Sequence, residues 1–186
     1  MNIFIVAGAD PVECAKQMID KHVVKMPTES LQMISTIMDL KKQKSPFKPV
    51  MLNHPCTIWA RETVSNFDFL VSHAWALCSE YTKRYGKKHR VEELLEEYQF
   101  EILNTRNFLP SGNLTPFAQA MPNKYKNDCA KTAYRDYYIN EKWSFASWKY
   151  GEPDWWPENH ISNMKKERQQ VYSDMLKRLE AITNEI

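Results

Sequence analysis

Between residues 58 and 81 the apolar side chains fall on one long helical stripe. Ile58, Trp59, Phe67, Leu70, Ala74, Leu77, Cys78 and Tyr81 recur at intervals that fit the 3.6-residue turn, and Gly86 follows as a C-cap. A helix with such a face must bury it against other elements, and the rest of the chain supplies similar stripes. Asp10-Pro11-x-Glu13 reads as a capped helix start that carries Cys14, Met18 and Ile19 inward. Pro27-Thr28 marks a kink or a fresh start before Leu31, Ile34, Ile37 and Met38. Asn53-His54-Pro55 opens the long stripe in the same style as Asp10-Pro11. Val91, Leu94, Leu95, Tyr98 and Ile102 form another stripe. Ala130, Ala133, Tyr134, Tyr137 and Tyr138 form the next, reaching about Phe145. From Asn159 a last amphipathic helix carries Ile161, Met164, Val171, Met175, Leu179 and Ile182. Residues 41–50, 104–127 and 148–157 read as loops.

The only strand signal is NIFIVA, residues 2–7, closed by Gly8. With 4 glycines in the chain, a sandwich of many tight turns and a glycine-rich phosphate loop are both disfavoured. A nucleotide-binding α/β sheet needs several more strands. The expectation is a mostly α, compact single-domain helical bundle with one short N-terminal strand. It spans residues 1–186, with 158–186 as a C-terminal helical extension.

Net charge is only +2, so any nucleic-acid footprint must be a local patch. Cys14, Cys56, Cys78 and Cys129 form no CxxC pair and read as reduced thiols; neither a metal nor a cofactor is expected. The six-residue apolar run at the N-terminus suits neither a signal peptide nor a membrane span, so a cytoplasmic protein is expected, in a host cell if phage-encoded. The near-heptad spacing of the last helix would permit a homodimer as well as a monomer.

Four constellations carry chemistry. In DKHVVKMPTES (20–30), His22 and Glu29 lie seven apart on nearly one helix face, with Lys21 and Lys25 on the neighbouring face. A carboxylate beside cations stays ionised and oriented, as a general base or a stabiliser of a cationic intermediate must. In LNHPCTIWARETVSN (52–66), His54 stands at a helix N-terminus with Arg61 and Asn66 following, a group on which phosphate could dock. KRYGKKHR (83–90) packs Arg84, Lys87, Lys88 and His89 into the densest positive patch of the chain. It reads either as a phosphodiester contact or as compensation of a helix C-terminus, with Glu92, Glu93, Glu96 and Glu97 able to neutralise it. Residues 134–156 interleave aromatics with Arg135, Lys142 and Lys149, suited to a platform for unpaired bases or to core packing.

Taken together, these segments resemble the phage pyrimidine-dimer DNA glycosylases of the endonuclease V type and their bacterial relatives. The shared layout is an N-terminal strand, a basic helix with a lone Glu, an Asn-His-Pro helix start with Trp and Arg, and a Trp-Lys-Tyr tail. The chain also looks like a set of phage proteins of unassigned function that share DKHVVKM, NHPxxIWxR and EYTxRYGKxH. The resemblance implies a compact helical fold and DNA as partner. It also implies an amine that attacks the sugar C1′ to give a Schiff base, possible strand cleavage as an AP lyase, and an essential carboxylate at Glu29. Lys21, His22 and Lys25 would then contact DNA, and Trp148 and Tyr150 would pack near the lesion. That chemistry calls for a small second residue so that Met is removed. Asn2 is too large for this, which leaves Met1, Lys21 or Lys25 as the amine, or no such chemistry. Two other readings stand beside it: a non-catalytic phage protein that holds a nucleotide or signalling anion in a cationic pocket, and a base-modifying transferase on the same fold.

Overall fold

The computed structural model describes the backbone of residues 1–184 and the side chains of residues 1–178. Its two principal helices, α2 (Asp20–Leu40) and α4 (Val64–Tyr85), pack against each other. Around them stand α1 (Pro11–Gln17), α3 (Pro55–Ala60), α5 (Arg90–Glu97), α6 (Gln99–Asn107), α7 (Ala130–Glu141) and α8 (His160–Asn184). Single 3₁₀ turns occur at Asn123–Tyr125 and Trp143–Phe145. The buried apolar side chains make one cluster, fed by the stripes of α1, α2, α4 and α7.

Local chemistry explains most boundaries. Asp10 accepts from the Val12 and Glu13 amides and starts α1. Gly86, at φ 67°, ends α4 where a side chain would be strained. Pro27 does not start a new helix. It lies buried inside α2, where burial of both flanking turns outweighs one missing N–H. The expected helix from Asn53 breaks in two, because the Thr63 hydroxyl caps a fresh start at Asn66 N. The stripe from Val91 likewise divides at Tyr98, between α5 and α6.

The N-terminal strand is a correction. Residues 2–6 are buried, but among the described residues no strand exists to pair with them. Phe4 takes φ 50°, which turns the chain out of extended geometry. Its polar backbone is satisfied otherwise: Val6 N donates to Phe4 O at 2.9 Å, and Arg135 Nε donates to Val6 O at 2.8 Å. The segment is therefore a threaded core peptide. The Phe4 ring stacks on His22 at 4.3 Å and meets Tyr134 and Tyr138 edge-on.

α8 packs by its first turns, with Ile161 and Met164 half-buried, whereas Val171 and Met175 are exposed. The side chains of Leu179 and Ile182 lie outside the described residues. No helix among the described residues is long and apolar enough to cross a membrane.

Candidate active site

α2 exposes a single ridge. Lys21, Val24 and Lys25 are open to solvent and Thr28, Glu29 and Gln32 are half-buried, while the intervening residues are in the core. Positions 21, 25 and 29 follow one another at one-turn spacing, so two cations lead to one carboxylate. Lys25 Nζ holds Glu29 Oε1 at 2.8 Å. The other carboxylate oxygen, Oε2, faces the α-amine of Met1 at 3.7 Å. An amine and a carboxylate 28 positions apart in sequence thus meet at the edge of the core, with the Glu29 side chain only 12 % exposed.

The residue next to that amine is tied into the core. Asn2 is buried, and its Nδ2 donates to the Ala120 carbonyl at 2.8 Å. Its Oδ1 accepts from Ile3 N at 2.9 Å and from the Tyr134 hydroxyl at 2.6 Å. The Cys56 thiol lies 4.0 Å from the same oxygen, and burial pushes that thiol up to about 12. His54 caps α3 by accepting Cys56 N on Nδ1 at 3.2 Å. Partial burial, then the positive charge of the Met1 amine, hold His54 below the usual histidine range, with Glu29 acting in the opposite sense. Met1, Glu29, Lys25 and His54 therefore form one group. Among the described residues no cluster of three His, Cys, Asp or Glu side chains is arranged to hold a metal.

Other residues expected at the site serve the scaffold. His22 is buried under Phe4, 2.6 Å from the Tyr138 hydroxyl, and desolvation, helped by Lys142 and Lys25, lowers it to about 3. An uncharged core imidazole is no phosphate contact. Asn66 is fully buried and links Trp59 O and Thr115. Arg61 donates to Leu52 O at 3.1 Å and fixes the loop before α3. Arg84 is 2 % exposed and spends its guanidinium on Glu80, Asp20 and the carbonyls of Lys16 and Met18. His89 caps α5 and donates from Nε2 to Val24 O, so both ring nitrogens are used.

The basic segment 83–90 is largely neutralised. Lys88 pairs with Glu96 at 2.7 Å and with Glu92 at 3.9 Å, Arg90 pairs with Glu93, and Lys83 lies 3.9 Å from Glu80. Lys87 forms no ion pair among the described residues. The aromatic tail is also structural. Trp148 donates to Gln17 O and packs on Trp156, and Tyr150 donates to Lys83 O with its ring exposed. These contacts, with the Ser147–Asp20 bond, seat the tail at the start of α2. Asp20 and Glu29 are nine positions apart, about 13 Å along a helix.

Sequence reading missed Asn2, Cys56 and Tyr134 as supports of the amine. Asn2 meets Cys56 across 54 positions and Ala120 across 118, which leaves no spacing signal, though a polar residue heading an apolar run was visible.

With this geometry in hand, comparison with known proteins adds one result. A family model described as pyrimidine dimer DNA glycosylase matches residues 1–93, half of the chain, a span that contains Met1, Lys25, Glu29 and His54. No curated protein and no solved structure matches.

Proposed function

The chain belongs to the pyrimidine dimer DNA glycosylase family, and from that premise we propose that it excises a damaged base from DNA with Met1 as an amine nucleophile. The observation that carries the reading is the Met1 amine 3.7 Å from Glu29 Oε2. An amine attacks only in its neutral form, and Glu29 is near enough to receive the proton that must leave. The amine nitrogen bonds to C1′ as the C1′–base bond breaks, and the base departs with the electron pair and gains a proton. The new amine at C1′ then loses a proton, and opening of the sugar ring with protonation of O4′ gives an imine. As a lyase, the protonated imine acidifies C2′–H; a base such as Glu29 takes that proton to leave an enamine, whose electrons break the C3′–O bond and expel the 3′ phosphate, and water later hydrolyses the imine and frees Met1. Glu29, held by Lys25, is suited to stabilise the cationic sugar and to relay these protons.

Two further features support this reading. Lys25 is exposed beside the carboxylate and Lys21 is exposed about two turns before it on the same ridge, a line along which strand phosphates could sit. In the loop before His54, Met51 and Leu52 are exposed apolar side chains, of a kind that holds bases out of a stack. Base release from a duplex calls for such displacement, because a stacked base shields its C1′ bond from attack.

Borohydride trapping tests the proposal. Duplex DNA with a pyrimidine dimer, or with an abasic site, is mixed with the protein and reductant, and the adduct is located by peptide mass. An adduct on Met1, lost in Glu29→Gln, is the expected result. No adduct with either duplex, under conditions where a known lyase traps, would overturn it.

A further inference from the structure

From its buried contacts we infer that Asn2 is the positioning residue for the reactive amine, and that Met1 is retained because Asn2 occupies the anchor. This rests on the amine chemistry proposed above and adds which residue sets the register of the nucleophile.

An N-terminal residue is tethered on one side only, so its amine is placed by the burial of its own side chain, 5 % exposed for Met1, and by the hold on the residue that follows. Here the next residue is held on three sides. The Ala120 carbonyl can only accept and the Ile3 amide can only donate, so together they fix which end of the Asn2 amide points where. Tyr134 closes the third side at 2.6 Å from Oδ1; its hydroxyl is also 2.7 Å from Ala118 O and accepts from Ala120 N. These contacts tie the second residue to the 118–120 loop and to α7, elements far from α2 in sequence. Tyr134 is itself fully buried against the Phe4 ring, so the anchor cannot swing without moving the core.

The anchor has room for one residue beyond it. Consecutive Cα atoms are about 3.8 Å apart, so removal of Met1 would draw the amine back by about that length. The terminal charge would then sit on the backbone nitrogen of Asn2, a residue 7 % exposed, and no longer on the atom 3.7 Å from Glu29 Oε2. A residue of the size of Asn also blocks the trimming that would cause this. Clamp and retention are therefore two consequences of one side chain. The amide of Asn meets both demands: a shorter side chain would permit trimming, and Asp or an apolar residue of similar size would leave the Ala120 carbonyl without its donor.

Asn2→Leu tests it. This variant keeps Met1 and the branched shape of the side chain, slightly enlarged, but removes every side-chain hydrogen bond of the anchor. Intact mass confirms Met1, thermal unfolding confirms folding, and duplex affinity is measured separately from the single-turnover rate of borohydride trapping. The expected result is unchanged duplex affinity with trapping slowed by about 10-fold to 100-fold per folded molecule, the scale of a misplacement near 1 Å. Mere destabilisation would instead lower the amplitude trapped and leave the rate constant. Tyr134→Phe, which leaves position 2 intact but removes the hydroxyl contacts to Asn2 Oδ1, Ala118 O and Ala120 N, is expected to slow trapping by a smaller factor, and it decides the matter if Asn2→Leu does not fold. Asn2→Ser, in which Met1 is trimmed, is expected to lose trapping despite its free amine. If Asn2→Leu, or Tyr134→Phe in its place, traps at the wild-type rate with Met1 present, the anchor role is refuted and the glycosylase reading stands. If the wild-type chain itself does not trap, both fall.

Discussion

Replacing Arg84 with methionine separates a buried strut from a DNA contact. The guanidinium donates to Glu80 Oε1 at 2.7 Å, Asp20 Oδ1 at 2.9 Å, Met18 O at 2.9 Å and Lys16 O at 2.8 Å. Methionine keeps an unbranched, largely apolar stem but makes none of these bonds. Two carboxylates and the last carbonyls of α1 would lose their donor in a place where Arg84 is 2 % exposed. Removing one partner of such a buried group costs about 3–5 kcal/mol. Asp20 is 20 % exposed and recovers some hydration, which puts the expectation near the lower end, about 3 kcal/mol. For a chain of this length that is a Tm lower by about 6–12 °C. Urea unfolding and a thermal melt measure the loss. Fluorescence anisotropy on duplex DNA, repeated across salt concentrations well below the melt, measures the other half. A phosphate contact would take about 0.9 from the salt slope when removed, whereas a strut leaves it unchanged. A variant that loses under about 1 kcal/mol while its slope drops by about one would refute the strut.

Lys25→Ala should change stability by less than about 1 kcal/mol, because Lys25 is 68 % exposed, yet weaken duplex binding and leave the trapped adduct on Met1; an adduct that vanishes with Lys25 would transfer the nucleophile to that side chain. Acid should destabilise the fold through two buried histidines, His22 lowered to about 3 and His73 to about 4, both chiefly by desolvation. The unfolded chain binds their protons from about pH 6.5 downward. Their stabilisation is therefore complete above that pH and is lost as pH falls toward 4, by up to about 1.4 kcal/mol per group per pH unit; urea midpoints of His73→Leu that keep the wild-type pH slope would contradict this. Of the cysteines, Cys129 is exposed and its thiol is lowered by the Thr132 hydrogen bonds, while burial raises Cys14, Cys56 and Cys78 to about 12. Alkylation of the native protein followed by mass analysis should label Cys129 first. Gly86→Ala should cost about 1 kcal/mol with no clash, since φ is +67° and nothing lies within 4 Å of the added carbon; an unchanged melt would count against the cap.

The sequence by itself determined what short-range physics determines. Periodicity revealed the faces of α1, α2 and α4, and Asp10, His54-Pro55 and Gly86 marked helix ends, because a cap or a stripe is settled within a few residues. It also brought Lys25 and Glu29 together, since one helical turn makes them neighbours. Tertiary structure decided which polar residues face solvent. Nothing local distinguishes Lys21, left open on the ridge, from His22, turned under Phe4, or Arg84 in the core from Lys87 outside it. The residues 2–7 carried the β signature of a strand, but a strand exists only with a neighbour, and packing against His22 and Tyr138 took its place. The meeting of Met1 with Glu29, and the Asn2 anchor behind it, depend on Ala120 and Tyr134 arriving from more than a hundred residues away. Such contacts are set by the closure of the whole core.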